Sequence, residues 1–396
     1  MQTDVVLHSL DQLQIELPSW GFADTGTRFG KFFQAGSAID TADKFADAGM
    51  VNKVTGCCPS VAVHVLWDFP KGQDPREVSV IAEKSGVRIG SINPNLFQDQ
   101  AYKLGSFGNP DAEARAQAVA HGIECSKLGE AVGSNLISYW FADGTNYPGQ
   151  DSIRARKRRF ERCLKACYDE LASEQTMLVE YKPFEPAFYH TDIADWGMSY
   201  ALCKKLGDQA KVLVDTGHHY NAQNIEQIVA WLLDEKMLGG FHFNDRRYAD
   251  DDLTLGSIDP YQIFRIFNEI HAYAAETGSY PDIAYMVDQS HNLKPKIEAM
   301  IQTVMTAQDL WAKAALVDRE KLSTHQQKGE IVDAENVLKD AYNTDVRPIL
   351  EEWRSGKGIA ANPLLAYRES GYADQIEAER TKRRQELGLS QDSSYA

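Results

Sequence analysis

Residues 211–245 read KVLVDTGHHYNAQNIEQIVAWLLDEKMLGGFHFND, and this stretch decides the fold class. It begins with a β-rich run, KVLVDT, and ends with a second one, GFHFND. Between the two runs, apolar residues recur at the i, i+3, i+4, i+7 spacing of an amphipathic helix: Ile225, Ile228, Val229 and Leu232. A strand, a helix and another strand in this order predict a unit of an α/β fold.

The same alternation extends along most of the chain. Six further β-rich runs are QIELPSW from Gln14, VAVHVLW from Val61, VRIGSIN from Val87, NLISYW from Asn135, MLVEYK from Met177 and AYMVDQS from Ala284. Helical segments separate them, including one from Asp111 for which we expect Gly129 as the C-terminal capping glycine. Eight units over residues 1–316 predict a (β/α)8 TIM barrel, with its active site at the C-terminal ends of the strands. A doubly wound sheet is the alternative, but the chain has neither a GxGxxG nor a Walker A motif.

Residues 317–396 form a helical extension in this interpretation. Its apolar positions need a surface to cover them, and we therefore expect the extension to make oligomer contacts: Leu338, Val346, Ile349 and Leu350. Its basic cluster RTKRR from Arg380 is more typical of a solvated helix face than of a binding patch.

Composition excludes several partners. The chain has 41 Lys and Arg against 57 Asp and Glu, a net charge of −16 that disfavours nucleic acid and anionic membranes. The six cysteines contain no CxxC pair, which indicates reduced thiols. No signal sequence and no apolar run of ~18 residues is present, so we expect a cytoplasmic protein.

Polar residues mark one end of four successive predicted strands. Side chains two apart on a strand share a face, which groups Glu180 with Lys182, His242 with Asn244, and Asp288 with Ser290. A single buried His or Asp is usually a hydrogen-bonded structural residue, but four in register favour a metal site: Glu180, Asp215, His242 and Asp288. Oxygen and nitrogen ligands without a thiolate suit Mn²⁺, Mg²⁺ or Co²⁺.

A second ion has its own candidate ligands, His218 after the sixth strand and Asp250 and Asp252 after the seventh, provided that Asp215 bridges. Asp251 would point away from this site. A solvated acidic loop is the alternative interpretation of the sequence YADDD. We expect Asp245 to be a structural acid, paired with Arg246 or another base.

Three further features, which comprise four residues, suit a polar, uncharged ligand. His64 and Asp68 are candidates to anchor or open a sugar ring, and Trp140 to pack on its carbons. Phe29 is a candidate to close the pocket. A capped strand end, a core tryptophan and an exposed loop aromatic are the respective structural alternatives.

The motifs VDTGHH, GGFHFND, YADDDL and VDQSHN resemble those of the broad-specificity bacterial L-rhamnose isomerases, within the xylose-isomerase-like barrel superfamily. The resemblance runs from LPSWGFADTGTRF to the C-terminal SGY segment. It implies two divalent ions per subunit, usually Mn²⁺, a metal-assisted hydride shift between aldose and ketose, and a homotetramer.

The resemblance also implies roles for individual residues. The structural ion would be held by Glu180, Asp215, His242 and Asp288, and the catalytic ion by His218, Asp250 and Asp252, with Asp215 near both. Lys182 matches a lysine that faces O1 and O2 of the sugar, and Ser290 a catalytic hydroxyl. His64 and Trp140 match the substrate pocket, whereas Phe29 matches an aromatic that reaches a neighbouring subunit's site. The loop FADTGTRF is less rich in glycine than this last match requires.

The resemblance thus implies interconversion of L-rhamnose and L-rhamnulose, with L-mannose, L-lyxose and D-allose as other possible substrates, among which the sequence itself does not choose. A ketose 3-epimerase on the same barrel is the nearest alternative, although it needs one ion and no DDD loop. A metal-dependent phosphoesterase fits the charge of −16 poorly. A sugar-binding protein without catalysis does not require seven candidate metal ligands.

Overall fold

Eight parallel strands close into a single barrel. The computed structural model describes residues 2–27, 30–185, 189–248 and 250–389. The barrel strands pair in chain order, and the last pairs with the first. They are β1 Ile15–Pro18, β2 Ser60–His64, β3 Arg88–Asn93, β4 Leu136–Tyr139, β5 Thr176–Glu180, β6 Ala210–Asp215, β7 Leu238–Phe243 and β8 Ala284–Val287. Each coincides with a β-rich run of the sequence, and the predicted TIM barrel is confirmed.

Helices surround the barrel and continue into the C-terminal part of the chain. Those of the barrel region are α1 Gln2–Gln12, α2 Thr41–Thr55, α3 Val65–Asp68, α4 Pro75–Lys84, α5 Ala112–Val132, α6 Ile153–Tyr168, α7 Trp196–Leu206, α8 Ile225–Asp234, α9 Pro260–Thr277 and α10 Lys296–Ala315. The C-terminal ones are α11 Arg319–Lys328, α12 Ile331–Asn343, α13 Arg347–Gly356, α14 Pro363–Glu369 and α15 Tyr372–Glu386. Among the described helices, none has the length and apolar character to span a membrane.

Short strands and turns follow some of the barrel strands at their C-terminal ends. Thr25–Thr27 pairs with Gly30–Phe32, and Phe184–Glu185 pairs with Tyr189–His190, each antiparallel. Two 3₁₀ turns, Ser19–Phe22 and Gln100–Leu104, follow β1 and β3. Of these segments, the turn Ser19–Phe22 and the strand Phe184–Glu185 each contribute a side chain to the cleft at the mouth, Trp20 and Glu185.

Helix α8 shows why the local pattern succeeded as a predictor. The Asn224 side chain caps its start by accepting a hydrogen bond from the Gln227 amide, at 3.0 Å. Ile225, Val229 and Leu232 are buried on the side that faces the sheet. On the other side of the sheet a small apolar cluster fills the barrel interior: Leu178, Leu213 and Met286.

The predicted end of α5 at Gly129 is wrong. The helix continues to Val132 and ends at Gly133, whose φ of 74° is the left-handed conformation expected of a capping glycine. Gly129 lies inside the helix, where a Cβ would come within 2.9 Å of Gln175 Nε2 and 3.1 Å of Ile137 Cδ1. Its glycine therefore allows close packing of α5 rather than helix termination.

The basic cluster of α15 is neither a solvated face nor a binding patch. Arg380 is 3% exposed and donates to both carboxylate oxygens of Asp47, at 2.8 Å each. Arg383 binds Asp40 and Asp43, and Arg384 binds Asp24 at 2.7 Å. We call these residues the C-terminal seam: Arg380, Arg383 and Arg384 with Asp24, Asp40, Asp43 and Asp47. The seam fastens α15 to the first part of the barrel.

The four apolar positions for which we expected oligomer contacts pack within one chain. Val346 and Leu350 are buried in the same core as the outer faces of the barrel strands, and Leu338 and Ile349 pack against that core. Packing of these four residues thus needs no second copy of the chain. They do not by themselves indicate that the extension makes oligomer contacts. The role of residues 317–396 in assembly stays a prediction.

Candidate active site

Strand ends bring the four predicted ligands of the first ion together. Glu180 and Asp215 are the last residues of β5 and β6, His242 is the penultimate residue of β7, and Asp288 directly follows β8. Asp215 lies opposite His242 in the parallel ladder. Donor atoms of Glu180, Asp215 and His242 all lie within 4.8 Å of one another, and all three side chains are buried.

His218 and Asp250 adjoin this cluster. His218 lies in the turn after β6, with Nδ1 at 3.0 Å from Glu180 Oε1 and Nε2 at 3.0 Å from Asp250 Oδ1. His218 Nε2 is also 3.9 Å from Asp215 Oδ2. The predicted second set of ligands therefore lies directly beside the first, with Asp215 between them.

Neighbouring groups fix the orientation of Asp215. Its Oδ1 accepts hydrogen bonds from the Gly217 amide at 2.7 Å and from Asn244 Nδ2 at 3.0 Å. Asn244 Nδ2 also donates to the backbone oxygen of Asp288, at 3.1 Å. Asn244 follows β7 and shares a strand face with His242 in the two-residue period. Its side chain thus connects the ends of β6, β7 and β8 by hydrogen bonds.

The acidic loop folds back over the mouth. Backbone hydrogen bonds between Asp245 and Leu253, at 2.8 and 2.9 Å, close it. Asp251 is turned away from the ligand cluster, as expected, and Oδ2 accepts from the amides of Arg247 and Tyr248 at 2.6 Å each. Asp252 has a φ of 48°, a conformation that L-residues adopt at a cost and that is common at functional sites.

Asp245 is the structural acid that we expected, but its partners are backbone amides. Oδ1 accepts from the amide of Arg246 at 2.8 Å, and Oδ2 accepts from those of Ile258 and Asp259 at 2.8 and 3.0 Å. The Arg246 guanidinium instead donates to the carbonyls of His219 and Thr216, at 2.7 and 3.1 Å. The pairing with the basic side chain of Arg246 is therefore corrected.

Crowding perturbs the protonation of the cluster. Burial raises the pKa of Asp215 to about 7, and it raises the pKa of Asp252 with the help of Asp250 and Asp288. Burial alone would raise the pKa of Glu180, but His242 and His218 lower it to about 2. Burial alone would likewise lower the pKa of His242, but Glu180 raises it to about 9. The cluster attracts positive charge, whether as protons or as a cation.

The donor set fits a divalent ion. The imidazoles of His218 and His242 lie 3.0 and 3.2 Å from the Glu180 oxygens, but without the geometry of hydrogen bonds. Glu180 Oε1 and both ring nitrogens of His242 are therefore buried without a hydrogen-bond partner in the described part of the chain. Buried polar atoms are normally paired, so these atoms need a partner, and a bound divalent ion would supply one. Carboxylate oxygens with imidazole nitrogens are ligands that Mn²⁺, Mg²⁺ and Co²⁺ accept.

A cleft of about 240 Å³ opens beside these ligands. Lys182 Nζ lies in it, 2.5 Å from Asp250 Oδ2, 2.8 Å from Glu185 Oε2 and 5.1 Å from the centre of the Trp140 ring. Burial alone would lower the pKa of Lys182, but Asp250 and Glu185 raise it, so the side chain stays cationic. Aromatic rings form the opposite wall around His64: Trp20, Trp67, Phe97 and Trp140.

Comparisons with known proteins identify the family. A family model described as a xylose isomerase-like TIM barrel matches residues 61–280. The chain belongs to this family. It is 40% identical to a probable sugar isomerase of Mesorhizobium japonicum over 382 residues, which cover 95% of this chain and 88% of that protein. A probable sugar isomerase of Rhizobium meliloti is 39% identical over the same shares.

Solved structures of the family share the fold at low identity. An L-ribulose 3-epimerase has a TM-score of 0.53 and 13% identity, with 81% of this chain and 97% of that chain covered. D-Psicose 3-epimerase from Clostridium cellulolyticum has a TM-score of 0.51 and 12% identity, over 76% and 99% of the two chains. These structures show the fold alone, and the expected barrel superfamily is confirmed by the family match over residues 61–280.

Several residues of the cleft were missed by sequence reasoning. Trp20 and Asn93 lie at the ends of the β1 and β3 runs, QIELPSW and VRIGSIN, where the rule used for β5 to β8 would have found them. Trp67, Phe97 and Glu185 lie in loops or short elements, and no spacing in the sequence distinguishes them.

Three predicted positions differ from expectation or lie outside the described residues. Asp68 does not reach the sugar cleft, because Oδ1 binds Lys44 Nζ at 2.6 Å and Oδ2 binds Ser19 Oγ at 2.6 Å. Ser290 Oγ contacts the backbone oxygen of Trp20 at 3.4 Å and is not among the residues that line the described cleft, and its catalytic role stays a prediction. Phe29 lies outside the described residues.

Proposed function

We propose that this protein is a metal-dependent aldose–ketose isomerase whose reaction is the interconversion of L-rhamnose and L-rhamnulose. The observation that carries the proposal is the pair of adjoining ligand sets along one wall of the cleft, with Lys182 at their edge. Two relatives at 40% and 39% identity bear the name probable sugar isomerase, which supports an isomerase of a sugar. L-Mannose, L-lyxose and D-allose are further candidate substrates.

Two divalent ions, Mn²⁺ in the first place, would be held by the residues of the two sets. Glu180, Asp215, His242 and Asp288 would hold one, and His218, Asp250 and Asp252 would hold the other. A bound ion of this kind supplies Lewis acidity to the oxygen atoms of the sugar's first two carbons.

Lys182 supplies a fixed positive charge. Its ammonium group stays protonated beside Asp250 and Glu185, and it lies between the ligand wall and the aromatic wall of the cleft. A sugar oxygen that gains negative charge during the reaction would be stabilised there, because a charge counts for more in a desolvated cleft than in water.

His64 and the aromatic wall recognise the uncharged part of the sugar. Burial lowers the pKa of His64 to about 3, so the ring is neutral at physiological pH and suits hydrogen bonding to a hydroxyl. Trp20, Trp67 and Phe97 surround this ring and offer apolar faces to the sugar carbons. An uncharged polyol with one apolar end matches this lining.

We expect hydrogen to move directly from C2 to C1. An enediol route needs a carboxylate poised as base, whereas the Glu180 oxygens lie 3.0 and 3.2 Å from the imidazoles of His218 and His242. The measurement is NMR of ketose formed in D₂O: absence of deuterium at C1 agrees with hydride transfer. One deuterium per product molecule would show proton exchange with solvent instead.

The direct experiment is incubation of the purified protein with Mn²⁺ and L-rhamnose, followed by detection of L-rhamnulose. A ketose 3-epimerase converts one ketose to another and does not interconvert aldoses and ketoses. It would therefore form no L-rhamnulose in this experiment. The acidic loop supports the isomerase, since Asp250 extends the ligand wall beyond what a single ion requires. Homotetramer formation, which the resemblance implies, is tested by light scattering of the same preparation.

A further inference from the structure

The first turn after β1 touches the segment that carries Asp288. Strands β1 and β8 close the barrel, with Ile15 opposite Tyr285 and Glu16 opposite Met286. The 3₁₀ turn Ser19–Phe22 follows β1 directly. Trp20 lies on this turn and donates its indole Nε1–H to Asp288 Oδ1, at 2.9 Å.

Two further contacts lock the turn to this segment. Ser290 Oγ donates to the Trp20 backbone oxygen at 3.4 Å. At Gly21 a Cβ would come within 2.8 Å of the Gln289 backbone oxygen, so the two backbones approach more closely than any other residue type permits. Trp20 is therefore held by its side chain, by its own backbone and by its neighbour.

The turn is also held by a hydrogen bond from Ser19 to the buried carboxylate of Asp68. Ser19 Oγ donates to Asp68 Oδ2 at 2.6 Å, and the same carboxylate is bound by Lys44. Asp68, which sequence reasoning placed near the sugar, thus supports the turn that carries Trp20. A rigid support of this kind is what a side chain needs to orient another one.

We propose that Trp20 is a positioning residue for Asp288 in the metal site. With Oδ1 engaged by the indole, Asp288 directs Oδ2 toward the ligand cluster, where it lies 3.9 Å from His242 Nδ1. Partners that orient a metal ligand affect affinity by about 10- to 100-fold when they are removed. The inference rests on the proposed metal site, but not on the identity of the sugar.

Trp20→Phe tests this role, because it keeps an aromatic ring beside His64 and removes the N–H donor. Trp67→Phe is the matched control: Trp67 also packs on His64, with ring centres 4.1 Å apart, but it donates to Gln98 Oε1 at the surface. We expect Mn²⁺ titration of the metal-free proteins to show about 10- to 100-fold weaker binding for Trp20→Phe and unchanged binding for Trp67→Phe.

A kinetic signature separates positioning from substrate contact. If Trp20 acts through Asp288, excess Mn²⁺ restores most of the kcat of Trp20→Phe, whereas a raised KM for sugar together with wild-type Mn²⁺ affinity would indicate substrate contact alone. Folding is checked by circular dichroism. Gly21→Ala is an independent variant that retains Trp20 and pushes the turn away from Gln289, and the same loss of affinity is expected.

Wild-type Mn²⁺ affinity in either folded variant would overturn the role of Trp20. A wild-type protein that binds no divalent ion would instead overturn the proposed metal site. A protein that binds Mn²⁺ but does not isomerise sugars would refute the proposed function alone, and the affinity comparison would still test Trp20.

Discussion

The C-terminal seam and the barrel mouth both concentrate acidic side chains, but they balance charge differently. At the seam, Arg380, Arg383 and Arg384 lie against four aspartates, and Asp47 has both oxygens bound by Arg380. At the mouth, five carboxylates gather beside His218, His242 and Lys182: Glu180, Asp215, Asp250, Asp252 and Asp288. Glu180 Oε1 and both ring nitrogens of His242 have no hydrogen-bond partner in the described part of the chain. Both regions are rich in acidic side chains, but those of the seam lie against arginines, whereas carboxylate and imidazole atoms at the mouth lack a hydrogen-bond partner in the described part of the chain, as expected of a binding site rather than of a structural contact.

The largest expected effect follows from removing charge at the mouth. Glu180→Gln should lower kcat/KM by on the order of 10³-fold, because it removes a ligand from a site whose Lewis acidity contributes several kcal/mol. Elemental analysis should show loss of the tighter ion. Glu16→Gln is the matched control, since Glu16 is also a buried glutamate of the barrel but binds Ser91. Equal metal content in both variants would contradict the contrast between the regions.

Breaking the seam should affect stability and leave the mouth intact. Arg380→Met leaves Asp47 buried without its partner, which should lower the free energy of unfolding by about 3–5 kcal/mol. Denaturant unfolding measures this, and the metal content should not change. Adding Asp47→Leu to the same chain should recover most of the loss. A seam variant that also lost its metal would show that the two regions are coupled.

Metal removal should affect the mouth alone. An ion that binds only the folded state stabilises it by about 2.7 kcal/mol at a hundredfold excess over Kd, so EDTA should lower the melting temperature. Arg380→Met should show the same metal-dependent shift as the wild type, although it melts at a lower temperature. Glu180→Gln should show a much smaller shift. An unchanged wild-type melting curve after exhaustive EDTA treatment would refute the metal site.

The smallest effect should come from the edge of the mouth. Asp252→Asn should lower kcat by about 10- to 100-fold while one ion stays bound, because Asp252 belongs to the second set of ligands only. Asparagine tolerates the φ of 48° at this position, so the loop is preserved. Asp251→Asn is the adjacent control, since that carboxylate accepts from the amides of Arg247 and Tyr248. Loss of both ions in Asp252→Asn would contradict the division into two sets.

Local patterns predicted the strands well and the ends of helices less well. All eight barrel strands coincide with β-rich runs, because the alternation of apolar residues depends on neighbours in the sequence. Gly129 was wrongly taken as a helix end, since glycine serves both helix termination and close packing. Only the contact of α5 with Gln175 and Ile137 distinguishes the two uses.

The sequence by itself determined that polar side chains meet at the C-terminal mouth of a barrel. Glu180, Asp215, His242 and Asp288 follow from the two-residue period of strands and from the parallel order of βα units, both of which are local properties. Only the tertiary structure decided which acids keep a partner. Arg380 and Asp47 are 333 residues apart, and Trp20 and Asp288 are 268 apart. Pairing depends on distances of a few ångströms between remote segments, and no local pattern encodes those distances.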